Sequence, residues 1–183
     1  MQGRTTAAGL GLLALAGVAG LASAADTHET LIMPIAYGSH LPGFGQPARA
    51  LAKMVKERSG GSIELRIKEP GDGTQPHQIL EKVSSGKVDA GFATAGLWAA
   101  KLPAGALFAG FPFGLDAETY AAWYREGGGR KLYQDMYDQA GSSVHVLPCA
   151  FAGAETAGWF GKELQRPEDL RGFRMRIFGL GAA

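Results

Sequence analysis

The sequence predicts an α/β fold in which a mostly parallel sheet is covered by helices. Three observations carry this: short apolar runs of strand length, helical-period stretches between them, and glycine or proline at most junctions. The 183 residues are 46% hydrophobic and 19% charged, with a formal net charge of +1. That balance excludes a disordered tail and a nucleic-acid partner. Glycine, at 28 residues, is about twice its usual ~7% and follows no collagen period, so it marks turns and close backbone approaches. Cys149 is the only cysteine, which excludes an internal disulfide and a cysteine-cluster metal site.

Residues 1–25 read as a leader. Arg4 is their only charge, an apolar run covers 7–22, and Ala22-Ser23-Ala24 offers the small residues that a signal peptidase needs. A membrane anchor is the competing reading, but the run is rich in Ala and Gly and has no basic stop-transfer flank. Cleavage after Ala24 or Ala25 would leave a formally neutral chain exported to the periplasm.

After the leader, residues 31–37 (LIMPIAY) predict a first strand, ended by Gly38-Ser39. The helix that follows puts Ala48, Leu51, Ala52 and Val55 on one face and stops at Gly60-Gly61. Residues 62–68 alternate, with Ile63, Leu65 and Ile67 facing one side and Glu64, Arg66 and Lys68 the other, the period of a half-buried strand. A second helix is expected over 74–85, capped by Thr74, and a third strand over 88–92. Strand, helix, strand, helix, strand is the order that builds a parallel sheet.

Residues 99–114 read as an apolar loop broken by Gly and Pro. Helices are expected over 118–125 and 131–139, separated by Gly127-Gly128-Gly129, with Tyr120, Trp123, Tyr124, Leu132 and Met136 inward. Residues 143–149, Trp159-Phe160 and 174–178 read as later short strands. The last of these is followed by nothing that could cover it, so the end reads as a truncation.

SGGSIELRI, VSSGKVDAGF, FAGFPFGL, WYREGGGRKLYQDMYDQ, AETAGWFGKEL and PEDLRGFRMRIFGLG occur in that order. Together they resemble the solute-binding subunits of tripartite ATP-independent periplasmic (TRAP) transporters. The resemblance runs from Leu31 to Gly181, and GWF and RMRIFGLG are most similar to the branch associated with mannitol, chloroaromatic compounds and 2-oxo acids. It implies a two-lobed periplasmic binding fold of about double this length. Residues 26–140 would be the first α/β lobe, and 141–183 the crossover and truncated start of the second.

The resemblance also singles out residues. Arg176 matches the family arginine that pairs with a ligand carboxylate, and a guanidinium fork suits that task because it forms two parallel charge-assisted hydrogen bonds. Trp159 either walls the ligand pocket or packs as a lobe-interface aromatic, and Phe160 reads as core. Glu155 either accepts a hydrogen bond from the ligand, helps hold a cation, or is a solvated turn residue. Trp98 falls where relatives place cleft-facing aromatics, yet Gly96-Leu97 stand where those relatives often carry tyrosines. The glycine-rich loop 39–45 could offer backbone contacts.

No catalytic set is expected. His145 and Cys149 are about 13 Å apart on an extended chain, too far to act as a pair. His28, His40 and His77 have no metal-ligand spacing. The function that the resemblance implies is capture of a small organic anion, such as a 2-oxo or hydroxy carboxylate, for delivery to TRAP membrane subunits. The resemblance leaves open a ligand-associated sodium or calcium ion and a homodimer of the full-length protein. Two alternatives stand beside it: a periplasmic enzyme acting on a carboxylate, or an incomplete chain without activity.

Overall fold

The computed structural model describes residues 28–110, 113–151 and 158–176. Strand β1 (Glu29–Pro34) is followed by helix α1 (Gln46–Arg58) and strand β2 (Ile63–Lys68), and the two strands pair in parallel from Glu29↔Ile63 to Pro34↔Lys68. α1 starts two residues ahead of the predicted run because Pro47 is tolerated in a first turn, where its missing N–H has no helical acceptor. It ends as the glycines require. Gly60 takes φ +63°, its N–H reaches Glu57 O, and the Gly61 N–H reaches Lys56 O, the paired bonds of a Schellman cap.

The side-chain period of two is realised at Leu65 and Ile67. Met33 from β1, Ile35 just beyond it, Ala48 and Leu51 from α1, and Leu65 and Ile67 from β2 form one core, joined by Ala90 and Phe92, while Ile63 is half-buried outside it. Met33, Pro34, Ile35 and Ala36 are all buried, so β1 is covered on both faces where it ends.

The third predicted strand shrinks to one parallel bridge, Ile35↔Phe92. The sequence contains the reason. Ile32 gives its N–H to the Asp89 carboxylate (2.7 Å) instead of a strand carbonyl, while its own carbonyl accepts from the amides of Asp89 and Ala90. Pro34, next on that edge, has no N–H to give, and only its carbonyl bonds to the Phe92 amide. A parallel ladder needs both groups of every second residue on the edge, so it closes only around Ile35, where Pro34 O accepts the Phe92 N–H and the Ala36 N–H donates to Phe92 O.

The predicted helix over 74–85 also changes at its start. Gln75 precedes a proline and is extended, so the chain enters through a 3-10 turn, Pro76–Gln78, before α2 (Ile79–Ser84). Gln75 and Gln78 cap this turn reciprocally, whereas Thr74 is buried and its hydroxyl accepts from Lys82 Nζ at 3.0 Å. The stretch expected as loop over 99–114 holds one helical turn, α3 (Gly105–Phe108), after a 3-10 turn at Ala95–Trp98.

Helices α4 (Ala117–Glu126) and α5 (Gly129–Gln139) bracket the predicted ones. Asp116 caps α4 by accepting the Thr119 N–H at 2.8 Å. Gly127 and Gly129 abut the Trp123 ring, leaving under 3 Å for any Cβ, which is why the turn is glycine. A second core gathers Ala95, Trp98 and Tyr137, with Leu80, Phe108, Tyr133 and Val146 packed around them. Phe108 stacks on Tyr133 at 4.4 Å between ring centres.

The expected strand over 143–149 joins no ladder among the described residues. Its backbone is bonded instead by the Gln134 side chain, which donates to Val144 O (2.8 Å) and accepts from the Val146 N–H (3.0 Å). Trp159-Phe160 and residues 174–176 likewise form no strand, and 177–178 lie outside the described residues.

Two outcomes follow. A Cβ on Gly91 would lie 2.3 Å from Ile79 Cγ2. Gly91→Ala should therefore cost about 1–3 kcal/mol by overpacking, and Ile79→Ala about 2–5 kcal/mol by leaving a cavity. The double substitution should cost clearly less than the sum in urea unfolding, because the new methyl enters the vacated space. The second outcome concerns alkaline pH. Burial pushes the phenol of Tyr120 up to about 12 and raises those of Tyr124, Tyr133 and Tyr137. A raised folded value means stability present below the unfolded pKa of about 10 and lost as pH rises beyond it. Tyrosinate absorbance from these residues should rise in one step with unfolding, not as separate titrations in the folded state.

Candidate functional site

In a parallel sheet, ligands are met at the carboxyl ends of the strands. Here β1 runs out into the loop 37–45, β2 into Glu69, and the 88–92 segment into the 3-10 turn carrying Trp98. The loop folds back tightly. Gly38 O lies where a side chain on Gly45 would begin, only 1.9 Å from an added Cβ, and the Gly45 N–H bonds to Leu41 O. Tyr37 and Phe44 pack at 5.2 Å between ring centres.

Glu69 ties this loop to β2 by accepting the Ser39 N–H at 3.1 Å. Hydrogen bonding from Ser39, its side chain first and then this N–H, with smaller help from His40 and Arg49, holds the Glu69 carboxyl below the usual carboxylate range. Sequence reading passed Glu69 by. Its signal was its place, the first residue after an alternating strand and before Pro70.

Trp98 is only 8% exposed and belongs to the second core. Its indole N–H donates to the Tyr137 hydroxyl at 3.2 Å, which joins the end of the 88–98 segment to α5. One side of the ring borders a hollow of about 360 Å³ that also touches His77, Lys101 and Ser142. Lys101 is paired there with Glu81 at 3.0 Å, and that pairing holds the Glu81 carboxyl below its usual range.

Residues 158–176 form a locally braced segment. Phe160 meets Phe173 edge-to-face at 6.0 Å, Lys162 Nζ lies 5.2 Å above the Phe173 ring, and Asp169 accepts the N–H groups of Gln165 and Arg166. Phe160 is thus a packing residue, as expected. Trp159 is the opposite, 94% exposed. Arg176 is exposed as well, and no carboxylate among the described residues pairs with it. Glu155 lies outside the described residues. No hydrogen bond, ion pair or ring contact among the described residues links Trp98 to Trp159 or Arg176.

Among the described residues no three His, Cys, Asp or Glu side chains converge as a metal site, and no helix is long and apolar enough to cross a membrane. Cys149 is exposed and makes one weak S–H contact, to Leu147 O at 3.8 Å; partial desolvation of its sulfur raises the thiol pKa, the reverse of an activated nucleophile.

Residues 42–181 match the bacterial extracellular solute-binding protein family 7, or DctP, family. The chain is 36% identical over 134 residues to the monocarboxylate 2-oxoacid-binding periplasmic protein of a Nostoc species, covering 73% of this chain and 36% of that protein. Among solved structures it is similar to a TRAP periplasmic solute-binding protein from Colwellia psychrerythraea with bound calcium and pyruvate (34% identity, TM-score 0.76, 83% of this chain and 46% of that one). A relative from Pseudoalteromonas atlantica with bound sodium and pyruvate gives 34% identity and a TM-score of 0.75 over the same shares. A dimeric one from Bordetella bronchiseptica, with calcium and picolinate, gives 27% and 0.77, over 85% of this chain and 46% of that one. The chain thus spans less than half the length of these relatives. Its motifs, its α/β fold and these matches agree, and the chain belongs to the bacterial extracellular solute-binding protein family 7.

Proposed function

We propose that the chain is part of a TRAP transporter solute-binding subunit that captures a small 2-oxo or hydroxy carboxylate, with Arg176 as the carboxylate partner. The single observation that supports this most is Arg176 itself: an exposed guanidinium, unpaired among the described residues, in a chain 34% identical to two pyruvate-bound proteins. In water such a fork is solvated at little cost. Enclosed in a cleft it needs a planar, doubly accepting anion, which a carboxylate is.

The division of labour follows from this reading. Residues 1–25 are a cleavable leader to the periplasm, 26–140 the first lobe, and 141–183 the crossover and start of the second. Trp159, exposed on the segment that bears Arg176, covers the apolar part of the ligand. Glu155 accepts a hydroxyl hydrogen bond or helps hold a cation such as sodium or calcium beside the carboxylate. The described residues include no acidic cluster for such an ion, so its other ligands would lie elsewhere. Trp98 and Glu69 act from behind, fixing the strand ends and the loop 37–45 against which the ligand rests. Closure of the lobes then exchanges water for paired charge, and membrane subunits receive the closed form.

Calorimetry on the full-length protein with pyruvate, lactate, picolinate and mannitol tests the proposal. A carboxylate should bind with exchange of heat, mannitol should not, and NMR should return the ligand chemically unchanged. Arg176→Ala should weaken binding at least about thirtyfold, in line with the ~2–5 kcal/mol of removing one partner from an enclosed charge pair. Arg176→Lys should recover little, because an ammonium cannot form the double bond. Full affinity in Arg176→Ala would dismiss its role, and turnover of the ligand would dismiss the binding-protein reading.

A further inference from the structure

Residues 143–146 have no strand partner among the described residues, yet they are held at every step. Val144 and Val146 pack against the second core. Ser84 Oγ accepts the Ser143 N–H at 3.0 Å, and the Gln134 amide takes Val144 O and the Val146 N–H. Bonding the carbonyl before a residue and the N–H after it is what a parallel neighbour does across a ladder. Gln134 does this on either side of His145 with a single side chain.

The amide is aimed as well as bonded. Its nitrogen also donates to Asp138 Oδ1 at 2.9 Å. A carboxylate only accepts, so Asp138 keeps the nitrogen on the Val144 side and leaves the oxygen for Val146. Both polar ends of a half-buried α5 side chain are therefore committed to the departing segment.

An independent sign is where the holding stops. Among the described residues no backbone hydrogen bond joins 147–150 to the rest of the lobe, and the Cys149 S–H contact to Leu147 O stays within the segment. Leu147 is 61% exposed. The Gln134–Val146 bond is thus the last backbone anchor before the chain runs on towards Trp159 and Arg176.

We propose that Gln134 is a positioning residue of the carboxylate site: it fixes the point and direction in which the chain departs from the first lobe. This rests on the reading of 141–183 as the crossover and the start of the second lobe. A ligand that bridges two lobes orders whatever connects them, and a connection fixed beforehand spares that entropy on binding. Loss of the clamp therefore falls on affinity, beyond its effect on stability.

The test is calorimetry on the full-length protein, with whichever of pyruvate, lactate and picolinate the wild type binds best, at a temperature where melting shows each variant folded. Gln134→Ala should weaken binding about tenfold. Ile79→Val, which thins the core beside Gly91, should lower the melting temperature and keep the affinity. Gln134→Glu gives a readout that a merely structural loss would not. As a carboxylate it has no donor for Val144 O and stands against Asp138; protonated, it regains one donor and one acceptor in the amide's places. The Asp138 charge favours that protonation above the usual ~4.3. Arg130, Lys131 and Asp135 on α5, Tyr124, Arg125 and Glu126 on α4, and His145 on the segment border the same hollow as Gln134. They are common to both proteins, so the variant is compared with wild type at each pH. Its deficit should be about tenfold at pH 7.5 and shrink several-fold by pH 5. If wild type binds none of the three acids, the binding-protein reading fails and this proposal with it. If wild type binds, the proposal alone falls where Gln134→Ala keeps full affinity, where Ile79→Val loses as much, or where the Gln134→Glu deficit does not change with pH.

Discussion

Everything in this fold hangs from β1 being bonded on both sides. Towards β2 it makes a regular parallel ladder; towards the 88–92 segment it makes the Asp89–Ile32 exchange and the Ile35↔Phe92 bridge. The second set is what carries the chain from the first core into the second. Phe92 packs with Met33 and Ile35, and six residues later Trp98 packs with Tyr137. Without the Asp89 carboxylate on the Ile32 amide, the segment would meet a strand edge whose next position, Pro34, offers no donor. A single carboxylate thus substitutes for the missing part of a ladder, and the loop bearing Trp98 is placed by it.

Much of this was legible in the sequence because it depends on local periodicity. The alternation in 62–68 gave β2, the 3.6-residue spacing gave α1, α4 and α5 (although Leu132, expected inward, is exposed), and glycines 60–61 and 127–129 gave the stops of α1 and α4. Three of the expectations that changed did so because a side chain took over a backbone role or a proline withheld one. Asp89 and Pro34 reduced a strand to a bridge, Gln134 stands in for a neighbouring strand along residues 144–146, and Gln75 before Pro76 moved a helix start. Such substitutions follow from which segments meet in space, and spacing along the chain does not encode that.

The candidate site was legible in a different way. Arg176, Glu155 and Trp159 came from resemblance to a family, and no pattern of charge or period would have separated Arg176 from Arg171 or Arg174. Trp98 was legible as an aromatic at a strand end, but not as a core residue whose N–H is satisfied by Tyr137 thirty-nine positions on. Glu69 carried only the signal of its place at a strand end, which does not disclose its bond to the Ser39 amide.

The contrast between the two tryptophans bears on how a binding protein divides its work. Trp98 is buried, hydrogen-bonded and committed, so it can define a surface without changing when a ligand arrives. Trp159 and Arg176 are exposed, and in the proposed reading their partners come with the ligand. An exposed guanidinium loses little by waiting in water, whereas an enclosed one without an anion would destabilise the closed form by several kcal/mol, on the order expected for an unpaired buried charge. Closure is then conditional on the anion. A permanently paired arginine, or a buried Trp159, would remove that condition and leave the two lobes free to close on nothing.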